Sequence, residues 1–478
     1  MKKYDKIDDM KVTDTYLAEI TDFGLDGKGF SKIEDIAVFT PYTAAGDLAK
    51  IKIKKVYKGV AEADAVKIVR PANCRVVPPC KTYGECGGCV LQHVDFPTEN
   101  ELKRKLLQTT LNKAGINIRV SDTVFDKEYE YRNKLQMPFT VDGGEITLGF
   151  FRRNTHDVVA LSGCMLHGDF ATKIINAVKI WANDEKRKQK LSVYDEATGK
   201  GCLRHFVARY VDGLLFATVV INGKELPYGR ELFEILSKDF ECVLYSSVNE
   251  KRTNVIMGDD VKKLYGAERD VDIDGIKTTL SPKSFLQVND GVRQKLYDGV
   301  NAAVKNVDVI IDVYSGIGIL TSMLAKANKN AKVYGVEIVK EAVENANDLM
   351  KKNGLSGRVE NICGDATKVL PKLVNDILSN EKSGIKPEIC VVIDPPRKGA
   401  TEEVLDAVIK SGAEKFVYVS CNPKTLQRDV KYVGDTFEVA SVTPYNMFPK
   451  TAELMRCCNK RRSAIGPYTC NTKCKFMF

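Results

Sequence analysis

Long apolar stretches are missing from this chain. None of its 478 residues lies in an apolar run that approaches the ~20 residues needed to cross a bilayer. The first residues turn acidic at once and lack the apolar core of a secretory signal. Internal repeats and low-complexity segments are also absent. We therefore expect a cytoplasmic protein without a membrane partner, and a monomer.

Charge of one sign is only in modest excess, with a formal net charge of +9. A basic balance suits a nucleic-acid partner, because lysine and arginine neutralise phosphates. Many cytosolic enzymes are slightly basic too, so the charge alone does not decide between these readings. The length allows about three domains of roughly 150 residues each.

Cysteine, by contrast, is plentiful, with 14 residues. Disulfides are rare in a reducing compartment, so the clustering of the cysteines carries more information than their number. One group comprises Cys74, Cys80, Cys86 and Cys89, and a second comprises Cys457, Cys458, Cys470 and Cys474.

The N-terminal part, 1–72, predicts a small closed β-barrel, because short strands alternate with glycine turns. Lysines are dense around Ile51 and partly occupy alternate positions. They would face one side of the barrel, as in proteins that bind single-stranded RNA. A lysine-protected edge strand is the alternative explanation.

The remainder divides into three parts. Residues 73–283 predict a mixed α+β central domain, in which a basic amphipathic helix over 99–114 is expected to pack on the catalytic domain. Residues 284–456 alternate strand and helix, which predicts an α/β domain with a doubly wound, Rossmann-like parallel sheet. Residues 457–478 form an atypical tail.

Two short segments stand at the ends of apolar runs typical of buried parallel strands. Segment 394–397 reads Asp-Pro-Pro-Arg, and segment 420–423 reads Ser-Cys-Asn-Pro. Such α/β sheets carry their chemistry at the carboxyl ends of their strands. The sequence thus predicts that Cys421 is a nucleophile beside a bound cofactor. A buried strand-end cysteine without chemistry is the alternative.

Three further strand ends predict the cofactor. A loop with two glycines follows Asp312, which is one glycine short of the dinucleotide fingerprint. Glu337 ends the next strand, where a carboxylate can accept ribose hydroxyls, and Asp365 ends the third, where it can meet an adenine amino group. This set suits S-adenosylmethionine, although both carboxylates could instead cap helices.

A thiol beside S-adenosylmethionine has a chemical purpose in the methylation of pyrimidine carbon 5. A thiolate that adds to carbon 6 pushes electron density to carbon 5, which can then attack the methyl sulfonium. A base must afterwards remove the carbon-5 proton so that the thiolate can leave.

Over about 15–451, the chain resembles the RNA uracil-5-methyltransferase family, in its branch with an N-terminal TRAM barrel, an iron–sulfur cluster and 23S ribosomal RNA as substrate. Segment 420–423 looks like the family's nucleophile motif, which implies Cys421 as the covalent nucleophile. Segment 394–397 looks like the family motif that lies against the cofactor and the target base. In segment 284–289, the resemblance implies that Gln287 contacts the cofactor.

Further cofactor contacts implied by the resemblance are Tyr314, Glu337 and Asp394. Asp365 is added on physical grounds and not on the resemblance.

The cysteines fit the same family. Cys80, Cys86 and Cys89 have the spacing Cys-x5-Cys-x2-Cys, and Cys164 matches a distant fourth ligand. By spacing alone, zinc and iron–sulfur are equal candidates. The resemblance implies a 4Fe–4S cluster on four thiolates. Cys74 is not expected to be a ligand.

The resemblance breaks near Thr451. The family has a histidine-containing stretch there, followed by the general-base glutamate and an apolar strand. Here Glu453 comes about two residues early, the histidine is absent, and 457–462 is polar. One hypothesis is that the reading frame diverges at this point. It predicts a missing last strand and leaves Glu453 as a candidate base whose function is in question.

Three functions remain open from the sequence. The first is S-adenosylmethionine-dependent methylation of a uridine in 23S ribosomal RNA, and transfer RNA is the alternative substrate. The second is an RNA-binding homologue whose altered C-terminus impairs catalysis. The third, a cluster-containing redox enzyme, is opposed by the cofactor residues Gln287 and Glu337.

Overall fold

The fold was obtained as a computed structural model, which describes residues 10–24, 26–379 and 386–462. Three large sheets follow one another along the chain, a two-stranded hairpin separates the second from the third, and ten helices accompany them within these described ranges. None of the described helices has both the length and the apolarity to cross a membrane.

The first sheet has six strands in the order β1-β5-β6-β4-β3-β2. Its ends are joined by the chain itself, since only two residues separate β1 from β2, and the sheet therefore curls into the predicted barrel. The strands are β1 (Thr15–Glu19), β2 (Asp22–Phe23), β3 (Gly29–Ile33), β4 (Ile36–Thr40), β5 (Leu48–Tyr57) and β6 (Val60–Arg70).

The lysines of β5 point outward, because Ile51 and Ile53 alternate with them and fill the barrel core. β5 pairs with β1 on one side and with β6 on the other. The edge-strand explanation of the lysines is therefore wrong, and they form a solvated outer face of an interior strand.

Helix α1 (Phe96–Lys113) leaves the barrel and lies against the third sheet. Asp95 caps it through the Thr98 amide at 2.7 Å. Leu107 and Leu111 pack in one core with the parallel strands, while Arg104 and Lys105 stay at the surface.

The second sheet has the order β13-β12-β11-β10-β7-β8-β9, with β11 and β12 parallel and the other neighbours antiparallel. One face packs on helices, and its other face shares a core with the third sheet. Its elements are β7 (Lys134–Asp142), β8 (Glu145–Phe151), β9 (Val158–Ala160), α2 (Asp169–Ala182), α3 (Glu185–Lys188), β10 (Leu203–Val211), β11 (Leu214–Ile221), α4 (Gly229–Leu236), β12 (Glu241–Val248) and β13 (Val261–Tyr265).

A hairpin, β14 (Val271–Ile273) with β15 (Ile276–Thr278), precedes the third sheet, whose order is β18-β17-β16-β19-β20-β22-β21. The elements of this part are α5 (Asp290–Ala303), β16 (Val309–Val313), α6 (Ile319–Ala327), β17 (Lys332–Glu337), α7 (Lys340–Lys352), β18 (Val359–Cys363), α8 (Ala366–Ser379), β19 (Ile389–Ile393), α9 (Glu402–Lys410), β20 (Lys415–Ser420), α10 (Pro423–Tyr432), β21 (Phe437–Tyr445) and β22 (Met455–Arg462).

The third sheet is the doubly wound, Rossmann-like sheet that the sequence predicts. Its strand order reverses between β16 and β19, and ligands of such sheets bind outside the carboxyl ends of the strands at this point. β16, β19 and β20 are buried along most of their length, because helices cover both faces.

The prediction of a missing last strand is wrong, because β22 is inserted between β20 and β21 and pairs antiparallel with both. Its polar residues are accommodated individually. Lys460 donates to the carbonyl of Val430 at 3.0 Å. Arg462 donates to one carbonyl of α9 and to one of the loop that follows α9. The two adjacent cysteines serve as apolar residues, with Cys457 in one core and Cys458 in the other.

The boundary predicted between 456 and 457 consequently falls inside β22, and 457–462 belong to the catalytic sheet and not to a tail. Cys470 and Cys474, the rest of the predicted second cysteine group, lie outside the described residues.

Candidate active site

A cavity of ≈ 770 Å³ opens at the carboxyl ends of β16 to β18 and is closed by the loop after β19. Tyr314 and Asp365, two of the predicted cofactor residues, line it. The other lining residues are Val336, Ile338, Gly364, Ala366, Thr367, Pro396, Lys398, Gly399, Ala400, Thr401, Glu402, Glu403, Val404 and Arg428. A cleft of this size, with apolar walls and a few carboxylates, can accept an adenosine-containing molecule.

The glycine loop after β16 turns sharply into α6. Tyr314, Gly316 and Gly318 all have positive φ, at 66°, 56° and 85°. A side chain at Gly318 would meet Ala346 at 3.0 Å, so the loop packs closely against α7. The Glu337 carboxylate accepts the Gly316 amide at 3.0 Å and the Val339 amide at 2.9 Å, and thereby fixes the loop to the next strand.

Asp365 begins α8 and accepts both the amide and the hydroxyl of Thr367, at 2.9 and 2.8 Å. These hydrogen bonds hold the pKa of Asp365 below its ordinary value. The carboxylates of Glu337 and Asp365 therefore do have local structural partners, as the capping alternative supposed, and Asp365 also faces the cavity.

Two acidic residues lie at neighbouring strand ends, the buried Asp312 within β16 and the partly buried Asp394 directly after β19. Burial raises the pKa of Asp312 and of Asp394 to about 7. Asp312 accepts the Thr321 hydroxyl at 2.6 Å, which stabilises its ionised form and opposes part of this effect. Both carboxyl groups can thus exchange protons near neutral pH.

Gln287 lies in the segment before α5 and is buried. Its carbonyl accepts the side-chain amide of Asn133, which comes from the start of the second sheet, at 3.1 Å. Asn289, two residues on, caps α5 through the Val292 amide. These contacts anchor the segment between the second and third sheets.

Cys421 stands directly after β20, in a turn held by its neighbours. The Asn422 amide donates to Ser420 Oγ at 3.1 Å, and Asn422 Oδ1 accepts the Lys424 amide at 3.0 Å, which begins α10. Burial raises the pKa of Cys421, and the Asp394 charge adds to this effect, while Arg397 and Arg456 oppose it. The sheet thus brings Asp394 and Cys421 together, as predicted from adjacent strand ends.

Arg397 connects this turn to the candidate base. Its carbonyl accepts the side-chain amide of Asn422 at 3.1 Å, and its guanidinium pairs with Glu453 at 2.7 Å. Both charged side chains are largely solvent-accessible, at 74% and 44%. Glu453 therefore lies on the same side of the sheet end as Cys421, held by an exposed ion pair.

Arg456 was missed by sequence reasoning. It lies on β22 directly opposite Ser420, the residue before Cys421, and its side chain is only 5% exposed. Within the described part of the chain, its Nε and Nη1 atoms have no hydrogen-bond partner. Burial lowers the pKa of the guanidinium to about 9, and the charges of Cys421 and Glu453 oppose this shift. Its position in a polar stretch after the break in resemblance gave no signal.

The four predicted cysteine ligands line a second cavity, of ≈ 440 Å³, between the segment 80–92 and the second sheet with the loop after it. The backbone of the Cys86–Cys89 loop packs directly against the end of β8. The Gly87 amide donates to the Phe151 carbonyl at 2.9 Å, and a Cβ at Gly87 would have no room. Burial raises the pKa of Cys89 to about 12 and that of Cys164 to about 11.

Across the described ranges, no group of three or more His, Cys, Asp or Glu side chains is placed to hold a single metal ion. A tetrahedral zinc site needs its sulfurs within about 4 Å of one another, because each Zn–S bond is ≈ 2.3 Å. Cys74 is not among the cavity-lining residues and contacts the Ala45 carbonyl instead.

Lys450 lies between this cavity and the active site. Its carbonyl accepts the Val90 and Leu91 amides, which follow the Cys86–Cys89 loop, at 2.9 and 3.1 Å. Its buried ammonium lies 2.6 Å from Glu128 and 3.3 Å from Glu99. Three residues later the same segment presents Glu453.

Comparisons with known proteins agree with this geometry. A family model described as tRNA (Uracil-5-)-methyltransferase matches 268–459, and a TRAM domain model matches 10–66. A protein of Clostridium tetani named as an uncharacterized RNA methyltransferase is 34% identical over 452 residues, 92% of this chain and 95% of that one. A protein of Caldanaerobacter subterraneus with the same description is 35% identical, and the match covers 92% of this chain and 97% of that one.

Among solved structures, the tRNA (uracil-54, C5)-methyltransferase of Pyrococcus abyssi, in complex with S-adenosyl-L-homocysteine, is similar with a TM-score of 0.73. It is 25% identical, and the match covers 93% of this chain and all of that one.

Proposed function

Because this chain belongs to the RNA (uracil-5-)-methyltransferase family, we propose that it methylates carbon 5 of a specific uridine in 23S ribosomal RNA through a covalent bond to Cys421. The enzyme class, the TRAM barrel and the S-adenosylmethionine cofactor come with the family. The roles of individual residues and the identity of the RNA are the proposal. We further propose that the protein acts on RNA as a monomer in the cytoplasm.

The observation that carries the proposal is the meeting of Cys421, Asp394 and Glu453 at the end of one sheet, beside the adenosine-sized cavity. Tyr314 and Asp365 would hold the cofactor from the cavity wall, and Glu337, which also fixes the glycine loop, would bind its ribose. Gln287 and Asp394 would complete the contacts near the reacting atoms. S-adenosylmethionine, when bound, supplies an electrophilic methyl group.

The Cys421 thiolate begins the reaction by bonding to carbon 6 of uracil, and the electron pair of the carbon 5–carbon 6 double bond moves toward carbon 5 and the carbonyl oxygen at carbon 4. Carbon 5 would then bond to the methyl group of the cofactor, whose sulfur would keep the electron pair of the broken sulfur–methyl bond. Glu453 removes the proton from carbon 5, the double bond re-forms, and Cys421 leaves as a thiolate.

A basic groove supports an RNA substrate. A cavity of ≈ 950 Å³ runs between the barrel and α1 and reaches α10 beside Cys421. Five basic and three acidic side chains line it, together with the half-buried rings of Phe30 and Phe39: Lys28, Arg104, Lys105, Lys113 and Lys424, and Asp22, Asp26 and Glu62. Cations that neutralise phosphates, combined with aromatic faces that stack on bases, are typical of single-stranded RNA sites.

We also propose a 4Fe–4S cluster on Cys80, Cys86, Cys89 and Cys164. All four thiols line one cavity, the Cys-x5-Cys-x2-Cys spacing with a distant fourth cysteine resembles the ribosomal branch of the family, and four cysteines are the usual ligands of this cluster. The cluster would supply a redox-active or structural centre. Iron and sulfide analysis of anaerobically purified protein tests it, and a Cys164→Ser variant that keeps full iron content contradicts it.

Ribosomal RNA is proposed over transfer RNA because the cysteine set resembles the ribosomal branch of the family. Transfer RNA remains the second candidate, since the similar Pyrococcus abyssi enzyme acts on transfer RNA. A catalytically impaired RNA-binding homologue is the third, because the Glu453 segment departs from the family.

Nucleoside mass spectrometry decides among these. Unmodified 23S ribosomal RNA and transfer RNA are each incubated with the anaerobically purified protein and S-adenosylmethionine. New 5-methyluridine in ribosomal RNA alone is expected. Product in transfer RNA alone overturns ribosomal RNA as the proposed substrate. Binding of both RNAs without product overturns the proposal that the protein is catalytically active.

A further inference from the structure

Arg456 is an energetic anomaly in the catalytic sheet. A buried guanidinium with unpartnered N–H groups costs several kcal/mol, so proteins ordinarily pair it. In the part of the chain that the structure describes, Nε and Nη1 of Arg456 have no such partner. The strand could have carried an apolar residue at this position, as it does at Met455 and Cys457.

The strand pairing places this cation beside the nucleophile. Arg456 faces Ser420 in the β20–β22 register, and directly opposite residues have Cβ atoms ≈ 4.5–5.5 Å apart. Ser420 in turn holds the Cys421 turn, through its hydrogen bonds with the amide and carbonyl of Asn422. The side chain at 456 therefore starts from a position opposite the residue before the thiol, and the charges of Arg456 and Cys421 act on each other.

We propose that Arg456 is a positioning residue whose guanidinium pairs with Cys421 and holds it as the thiolate that begins the reaction. The S–H bond breaks, its proton passes to solvent, and the sulfur keeps the electron pair that later bonds to carbon 6. The pairing requires no RNA, and only its use in catalysis rests on the proposed function.

Other charges around Cys421 do not replace this pairing. From the loop after β19, Asp394 faces the thiol and opposes its ionisation, while Arg397 favours it. Arg397 is already paired with Glu453 and is 74% exposed, so solvent screens its charge. Arg456 is the buried cation at this position, where screening is weak.

The pH dependence of Cys421 alkylation tests the pairing without RNA. Iodoacetamide labelling is followed between pH 6 and 10 by mass spectrometry of the tryptic peptide 416–424, which contains Cys421 as its single cysteine. An opposite charge close to an acid lowers its pKa by about 1–3 units, so removing that charge raises the pKa. We expect Arg456→Met to reduce labelling at pH 7 about tenfold, with recovery at higher pH.

The controls separate charge from packing. Arg461→Met makes the same change at an exposed position of β22 and should leave the Cys421 profile unaltered. Cys363, in peptide 359–368, reports on the reagent in every sample. If Arg456→Met does not fold, the similarly sized pair Arg456→Lys and Arg456→Gln decides, since only the neutral glutamine should shift the profile.

An unchanged Cys421 profile in Arg456→Met, or equal profiles for the Lys and Gln variants, overturns the proposal. RNA containing 5-fluorouridine then tests whether the reaction uses the Arg456–Cys421 pairing. Fluorine at carbon 5 cannot leave as a proton does, so the covalent adduct accumulates. Adduct formation by Arg456→Met should be slow at pH 7 and recover at pH 9. Failure of the wild type to form any adduct contradicts the proposed function and leaves the alkylation result standing.

Discussion

Cys421 and Glu453 reach the candidate site from two segments of different construction. Cys421 follows β20, a buried strand with neighbours on both sides, and its turn is fixed by hydrogen bonds within 420–425. Glu453 stands in a short loop before β22, where its carboxylate is held by the exposed Arg397. The proposed nucleophile is positioned by the core of the fold, whereas the carboxylate of the candidate base is held by an ion pair at the surface.

This difference indicates which step of the reaction is robust. The proposed attack on carbon 6 depends on main-chain geometry that nearly all changes at the surface leave intact. The proposed proton removal depends on side chains with considerable freedom. Variants at the two positions should therefore fail in distinguishable ways.

The largest effect is expected for Cys421→Ala. Without the thiolate, no bond to carbon 6 can form, and 5-methyluridine formation should fall by more than about 10⁴-fold. Mass spectrometry of nucleosides measures the product, and denaturing gels measure the adduct with 5-fluorouridine RNA. Cys202→Ala, which changes a half-buried cysteine of the central part, should keep full activity. Adduct formation by Cys421→Ala would assign the nucleophile elsewhere.

A smaller and differently shaped loss is expected for Glu453→Gln. Steady-state turnover should fall by about 10²–10⁴-fold, the usual contribution of a positioned base. The first methyl transfer should persist, so a protein–RNA adduct with ordinary uridine accumulates. Glu438→Gln, at an exposed site of β21, serves as the control. Equal losses in single-turnover methyl transfer and in turnover would show that Glu453 does not act in proton removal.

The smallest effect is expected for Arg397→Met. Exposed ion pairs contribute about 1 kcal/mol or less, so loss of the pair should lower kcat by at most about fivefold. A double-mutant cycle with Glu453→Gln measures the coupling of the two side chains. A loss beyond a hundredfold would mean that Arg397 contacts the reacting atoms.

The sequence predicted the strands that end at Asp394 and Cys421 but not the strand that follows Glu453, for a physical reason. Apolar runs that end in Asp394 and Cys421 have the pattern of buried parallel strands, whose carboxyl ends meet by geometry. β22 has no such apolar pattern. Its polar residues Lys460 and Arg462 can lie in the sheet because carbonyls of distant residues accept their hydrogen bonds. Such compensation is tertiary, and Arg456 stayed hidden within the same polar stretch.

Lys450 gives the two cavities a common structural element. Its carbonyl holds the chain that follows the Cys86–Cys89 loop, its ammonium is buried among Glu99 and Glu128, and Glu453 follows three residues later. A ligand that displaced the cysteine loop would have to displace the segment that carries the candidate base. Binding energies coupled in this way are reciprocal, so RNA that reordered this segment would change the affinity for that ligand by the same factor. Occupancy of the cysteine cavity and engagement of RNA would then each report on the other.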